Sequence, residues 1–251
     1  MNGKQRFSSR VEKYTKYRPS YPKEAIDYLY DEVGLSDRSN VLDIGAGTGI
    51  FSRLLLEKGT SVTAVEPNAE MRAAAESASE GDTNFRAIAG SAEETGLPEH
   101  SFDAIVCAQA FHWFDRSAAQ TEFRRVLKPG GKAILVWNTR VLEGTPFLEG
   151  YESLLHRLGT DYGEVNHRNI SREMLEDFFR PGALREARFF IRQLFDFDGL
   201  SGRLLSSSYS PEPGHPNYEP MMKELRELFD RNEQDGTVSF DYVTEVYWGE
   251  V

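Results

Sequence analysis

The chain has 251 residues, 39% of them hydrophobic, enough for one large domain with a substantial core. A net charge of −11 disfavours a nucleic-acid partner, which is normally met by a basic face. The single cysteine, Cys107, rules out a disulfide within the chain, no run approaches the ~18 apolar residues of a membrane span, and no apolar leader opens the sequence, so a cytoplasmic protein is expected.

Residues 1–21 are polar and aromatic, with Tyr14, Tyr17, Arg18 and Tyr21 close together and Pro19 and Pro22 breaking any helix between them. Pro22 opens a helix expected to reach about Val33, with Ala25, Ile26, Leu29 and Val33 on one face and Gly34 at its end. Val41, Leu42 and Ile44 then predict a short buried strand. Gly45, Gly47 and Gly49 follow, and Ile50, Phe51, Leu54, Leu55 and Leu56 predict a helix. Strand, glycine turn and helix together place backbone N–H groups where a ligand can be held, and glycine lets that ligand come close. The spacing departs from the dinucleotide fingerprint, because Ile50 stands where its third glycine belongs. That weakens a nicotinamide reading. No Gly-Lys-Ser/Thr follows, so a phosphate-binding P-loop is excluded.

A second strand is read in Val62–Val65, with Glu66 at its carboxyl end, where such folds place an acid that accepts hydrogen bonds from ribose hydroxyls. Pro67 ends the strand and Asn68 caps a helix over Ala69–Ala78. "VLDIGAGTG" followed by "VTAVEPNAEM" resembles the first two motifs of the class I S-adenosylmethionine-dependent methyltransferases. The resemblance continues in Gly90-Ser91-Ala92-Glu93, Leu97-Pro98, Ser101-Phe102-Asp103 and "LKPGG".

The resemblance implies a Rossmann-like, doubly wound α/β fold: a mostly parallel seven-stranded sheet with a C-terminal antiparallel strand pair and a helical cap. It also implies S-adenosylmethionine as cofactor, S-adenosylhomocysteine as product, and no metal. The implied cofactor contacts are Asp43, Gly45, Ala46, Gly47, Thr48, Gly49, Glu66, Pro67, Met71, Ser91, Ala92, Glu93 and Gln109. Ser91 stands where the family's acidic residue holds the adenine amine, so the Ala92 backbone and Glu93 are alternatives for that contact. "YTKYRPSYP" resembles the N-terminal segment of enzymes related to trans-aconitate methyltransferases. On that basis residues 1–21 are expected to form a lid, with Tyr14 and Arg18 facing the methionine carboxylate; a guanidinium fork matches that group.

Asn84–Gly90 predicts a third strand, and the apolar run Ala104–Ala108 a central parallel one. Ligands in open α/β sheets sit beyond the carboxyl ends of strands, so Gln109 and His112 are expected near the pocket, with Trp113 in its wall. His112 is the candidate base. Asp115 caps a helix over Arg116–Leu127, and a fifth strand is expected over Lys132–Trp137. Asn138 and Arg140 follow on the ligand side and, with Tyr21, His112 and Trp113, complete the expected acceptor site. Beyond this core (residues 22–140), residues 141–183 are read as an inserted helical cap, and 184–251 as strands and a helix that complete the sheet.

The resulting expectation is methyl transfer to a small molecule, with a carboxylate as the favoured acceptor. A proton-free carboxylate needs no general base, and the cofactor's leaving group is already activated, so proximity and exclusion of water do most of the work. An RNA-base methyltransferase and a non-catalytic cofactor-binding protein are the alternatives. The sequence is silent on oligomeric state.

Overall fold

The computed structural model describes residues 17–163 and 169–251. Tyr14, half of the expected carboxylate contact, lies outside the described residues.

Helix α1 (Lys23–Tyr28) follows Pro22 and widens into a π turn over Leu29–Val33, which Gly34 closes at φ +96°. Strand β1 (Asn40–Ile44) leads through the glycine turn to α2 (Ile50–Leu56), and β2 (Ser61–Val65) leads to α3 (Ala69–Ala78), capped by the Asn68 side chain. Strands β3 (Phe85–Ile88) and β4 (Phe102–Ala108) come next, then α4 (Arg116–Val126) and β5 (Leu127–Arg140). Helices α5 (Pro146–Leu158) and α6 (Arg172–Phe178) precede β6 (Arg185–Phe195). Helices α7 (Phe197–Leu205) and α8 (Tyr218–Asn232) precede β7 (Val238–Gly249).

The seven strands form one sheet in the order β3-β2-β1-β4-β5-β7-β6. The first five are parallel, while β7 runs antiparallel to both β5 and β6. The order reverses between β1 and β4, and the crevice at such a switch point is where open α/β sheets bind ligands.

Strand side chains alternate between two cores, as a period of two requires. Leu42, Ile105, Cys107 and Leu135 pack with Phe123 of α4 and Phe178 of α6 on one face. Val41, Val62, Val106 and Ile134 pack with Ile26, Leu29, Phe51 and Leu55 on the other.

Two boundaries differ from the sequence-based expectations, and one edge strand is laid out in a way they did not specify. Strand β5 starts five residues early, at Leu127 opposite Phe102; Lys128–Gly131 then bulge out before pairing resumes at Ala104–Lys132. Gly131 fits only without a side chain, since a Cβ there would meet the Lys128 carbonyl at 2.9 Å. Strand β6 begins at Arg185 and alternates half-buried with exposed positions along an edge, so its outer face carries Phe190 and Leu194. The two helices described within residues 141–183 do not pack as one cap. Helix α5 joins α7 and α8 in a third core built on Phe195, Phe240 and Tyr242, whereas α6 joins the core under α4. The third core is therefore assembled from α5 and the α7–α8 pair, which lie on either side of β6 in sequence.

Candidate functional site

At the strand tips the backbone turns sharply. Gly45, Gly47 and Gly49 take φ values of +71°, +56° and +74°, which side-chain-bearing residues rarely adopt. Each has its own reason to lack a Cβ. At Gly45 a Cβ would lie 2.5 Å from the Ala110 Cβ, and at Gly49 it would crowd Ala75 of α3 at 3.1 Å. At Gly47 it would meet only the Met71 sulfur, at 3.8 Å, across the open cleft.

The turn's amides are used differently from the expectation. Gly45 and Ala46 donate to the Val65 carbonyl at 2.8 and 3.3 Å, and Gly49 donates to Ala46 at 2.9 Å. The Gly47 N–H donates to the Glu66 carboxylate at 2.9 Å. The turn thus folds back on the tip of β2 and satisfies these donors within the protein. It shapes the cleft more than it supplies free donors to it.

Glu66 is buried at the end of β2, and its other oxygen accepts the Asn68 N–H at 2.8 Å. Burial raises the pKa of its carboxyl group, opposed by those two backbone amides and by Arg72, whose guanidinium donates to the Glu66 carbonyl at 2.8 Å. Each carboxylate oxygen has several acceptor directions, so one amide apiece leaves capacity for a vicinal diol.

Two connected lobes meet at Gly45, Gly47, Ala108 and Gln109. The larger, of about 220 Å³, is walled by Gly45, Gly47, Glu66, Pro67, Met71, Ser91, Ala92, Glu93, Gln109 and Trp113. Asn68, Ala110 and Phe114, which sequence reasoning did not single out, complete its wall. Glu93 lies at its rim, with one carboxylate oxygen accepting the Asp115 N–H at 3.0 Å. The smaller lobe, of about 50 Å³, is walled by Arg18, Tyr21, Ala46, Thr48, Gln109 and Asn138, joined by Arg203 of α7. Gln109 sits between the two at φ +60°, a conformation that costs a non-glycine residue about 1–3 kcal/mol and is characteristic of functional sites.

The strap Tyr17–Tyr21 crosses the smaller lobe. Tyr17 packs on Gly202, where any Cβ would fall 2.2 Å from its ring. The Arg18 guanidinium donates to the Ser206 carbonyl at 3.2 Å, the Asn138 amide to the Ser20 carbonyl at 3.1 Å, and Tyr21 stacks edge-on against Phe51 at 4.9 Å. Asn138 is itself held by Thr244, whose hydroxyl donates to its side-chain oxygen at 2.6 Å.

Four expected site residues stand outside the cleft wall. Asp43 is fully buried beneath the turn, where it accepts the Ser52 hydroxyl at 2.6 Å. Its inward position on β1 directs it toward α2. Burial, with the Glu66 charge adding to it against the Ser52 hydrogen bond, lifts its pKa to about 7. Gly49 is a packing residue against Ala75. His112, on the short helical turn Phe111–Trp113, has its Nδ1 3.5 Å from the Trp137 indole nitrogen and its ring against Trp113. Arg140 is ion-paired with Glu152, donates to the Tyr162 hydroxyl at 2.9 Å and stacks over Tyr151, inside the third core. The side-chain cation that does reach the cleft beside the strap is Arg203. Its segment, "FDGLSGRLLSSS", carries no sequence signal for that role, because only the packing of α7 across β7 brings it there.

A seven-stranded α/β sheet with its seventh strand antiparallel, a glycine turn after β1 and a buried acid after β2 make the crevice at the strand tips the candidate ligand site. Residues 42–135 match the family described as a methyltransferase domain. An uncharacterized methyltransferase of Mycobacterium tuberculosis is 46% identical over 134 residues, covering 53% of this chain and 52% of that protein. The chain thus matches about half the length of such curated relatives. An uncharacterized methyltransferase of Schizosaccharomyces pombe is 28% identical over 97% of this chain and 96% of its own length. A solved structure from Anaeromyxobacter dehalogenans shares the fold with a TM-score of 0.69 at 24% identity, over 93% of this chain and 98% of that one. Residues 42–135 thus form a methyltransferase domain by similarity, and the chain as a whole shares the fold of the Anaeromyxobacter structure.

Proposed function

We propose that the protein transfers the methyl group of S-adenosylmethionine to a small molecule, with a carboxylic acid as the favoured acceptor. The observation that carries the reading is Glu66, a buried carboxylate held open to the cleft by two backbone amides, beside a lobe large enough for an adenosine. The residues fit the cofactor in other respects. Thr48 Oγ1 is buried in the smaller lobe with no hydrogen-bond partner among the described residues, which suits the amino-acid end of the cofactor. Open space at Gly47 lets a ligand lie against the backbone.

On this reading Glu66 holds the ribose diol, and Pro67, Met71 and Trp113 wall the base. Ser91 and Glu93 supply polar groups at the adenine edge, while Arg18 and Thr48 face the methionine end. When bound, the cofactor supplies a methyl group on a sulfonium, an already activated leaving group. The protein then has to orient the acceptor and exclude water. The strap Tyr17–Tyr21, with Asn138 beneath it, covers the acceptor side of the cleft. An acid acceptor is ionised at neutral pH, so no residue has to take a proton from it. His112, set back behind Trp113, is not needed as a base. A net charge of −11 and a single buried cysteine suit a small-molecule enzyme of a reducing compartment such as the cytosol. Among the described residues no helix is long and apolar enough to cross a membrane.

The test is calorimetric titration with S-adenosylmethionine, S-adenosylhomocysteine and NAD, followed by labelled-methyl transfer to organic acids, amines, phenols and RNA. Binding of the sulfonium compound and its product, with no response to NAD and label recovered in a small acid, is the expected result. Heat from NAD alone overturns the cofactor assignment. Label recovered only in RNA overturns the acceptor class.

A further inference from the structure

The two lobes of the cleft share Gly45, Gly47, Ala108 and Gln109. Two of these have no side chain and the third ends in a methyl group, so Gln109 carries the polar side chain at the junction. The N–H groups of Gly45 and Gly47 are already engaged, by the Val65 carbonyl and the Glu66 carboxylate.

The backbone of Gln109 is held in a rare conformation. Its N–H donates to the Val136 carbonyl of β5 at 2.8 Å, and its φ is +60°. Among the described side-chain-bearing residues with positive φ, His100 and Asp235 stand outside the cleft wall and Gln109 within it. A glycine would relieve the strain, as at Gly45 and Gly47 nearby, yet this position keeps a side chain. Half-buried, with no side-chain hydrogen bond among the described residues, the Gln109 amide offers a carbonyl oxygen to whatever fills the cleft.

The charges around the junction matter for what that oxygen meets. Arg18 and Arg203 wall the smaller lobe and disfavour a second cation beside them. Glu66 walls the larger lobe, with its oxygens on the Gly47 and Asn68 amides. A neutral carbonyl dipole at the junction can face a cation there without adding another buried charge.

We propose that Gln109 recognises the sulfonium centre of the cofactor through its side-chain carbonyl oxygen, and so makes the enzyme distinguish S-adenosylmethionine from its neutral product. The inference rests on the methyltransferase reading above, with adenosine in the larger lobe and the amino-acid tail in the smaller. The sulfur that joins those two parts then falls beside Gln109. A carbonyl dipole is attracted to the positive sulfur and to its polarised methyl C–H groups, and both attractions end when the methyl leaves. Gln109 takes up no proton and forms no covalent bond; it orients the methyl and favours exchange of product for fresh cofactor.

The experiment is calorimetric titration of the full chain with S-adenosylmethionine, S-adenosylhomocysteine and sinefungin, in which an ammonium-bearing carbon replaces the methylsulfonium. The wild type should bind sinefungin about ten-fold more tightly than S-adenosylhomocysteine, because an ammonium donates a charge-assisted hydrogen bond to that oxygen. Gln109→Met keeps the length of the side chain and removes the carbonyl. It should erase most of the sinefungin preference and weaken S-adenosylmethionine by about three-fold relative to S-adenosylhomocysteine, whose own affinity stays within about two-fold. Gln109→Glu should strengthen both preferences. A purely structural role would shift all three ligands alike, and that result in Gln109→Met overturns the proposal, as does a variant with both preferences intact. Wild-type protein that binds S-adenosylhomocysteine as tightly as sinefungin overturns it even if the variants fail to fold. Failure of the wild type to bind any of the three is a different result: it removes the methyltransferase reading itself, and this inference with it.

Discussion

Glu66 reaches back across the glycine turn to accept the N–H of Gly47 at 2.9 Å, tying the tip of β2 to the loop that leaves β1. The same carboxylate takes the Asn68 N–H at 2.8 Å, at the cap of α3. One side chain therefore sets both the width of the cleft and the direction of its acid.

Replacing it should be felt in binding before stability. Glu66→Ala is expected to weaken S-adenosylhomocysteine binding by about 1.5–3 kcal/mol, the worth of a charge-assisted hydrogen bond. Calorimetry reads this directly, and unchanged affinity would argue against a ribose contact.

Gly45 tests the shape of the turn. Gly45→Ala adds a Cβ 2.5 Å from the Ala110 Cβ at a φ of +71°. Strain of this kind costs about 1–3 kcal/mol before the clash is counted. The Tm should fall by several degrees, and cofactor affinity should fall with it, because Ala110 is itself part of the cleft wall. A scanning calorimeter trace that overlays the wild type would contradict this geometry.

Asp43 gives the fold a pH dependence. Its pKa is about 7 in the folded protein, against about 3.9 when free. Between those values the folded chain holds a proton that the unfolded chain has released. Stability therefore declines as pH rises through this window, by up to about 1.4 kcal/mol per pH unit from this group, and levels off above pH 7. Asp43→Asn, which keeps an acceptor for the Ser52 hydroxyl, should flatten this part of the urea-midpoint profile between pH 4 and 7.5.

Glu122 acts in the opposite sense. Its carboxylate grips Arg125 with two bonds of 2.7 Å and accepts the Thr95 N–H at 2.9 Å. The Arg125 hydrogen bonds, with Thr95 assisting, hold its pKa down to about 2 against the effect of burial. The stabilisation it gives is complete above the ordinary carboxylate range and fades as pH falls from about 4.5 toward 2. Thr95 directly follows the turn, closed by the Ser91 N–H on the Glu94 carbonyl at 3.2 Å, that carries Ser91 and Glu93 into the cleft wall. Glu122→Gln should cost about 1–3 kcal/mol, loosen that loop and weaken adenosine binding. Hydrogen exchange at Ser91–Leu97 measures the loosening, and unaltered protection there would count against it.

The sequence alone determined the parallel half of the fold and the side of the cleft around Glu66. β-branched and apolar runs marked β1, β2 and β4, and glycines marked a turn that only positive φ permits. An acid at the tip of β2 marked the ribose contact proposed for Glu66. These signals are local: each lies within a few residues of the structure it specifies. The tertiary structure decided the other side. Arg140 and Arg203 look alike in sequence, but Glu152 of α5 ion-pairs with the first inside the third core, while the packing of α7 beneath the strap carries the second to the cleft. Asp43 and His112 stand outside the cleft wall because each meets another element, Asp43 the Ser52 hydroxyl of α2 and His112 the Trp137 ring of β5.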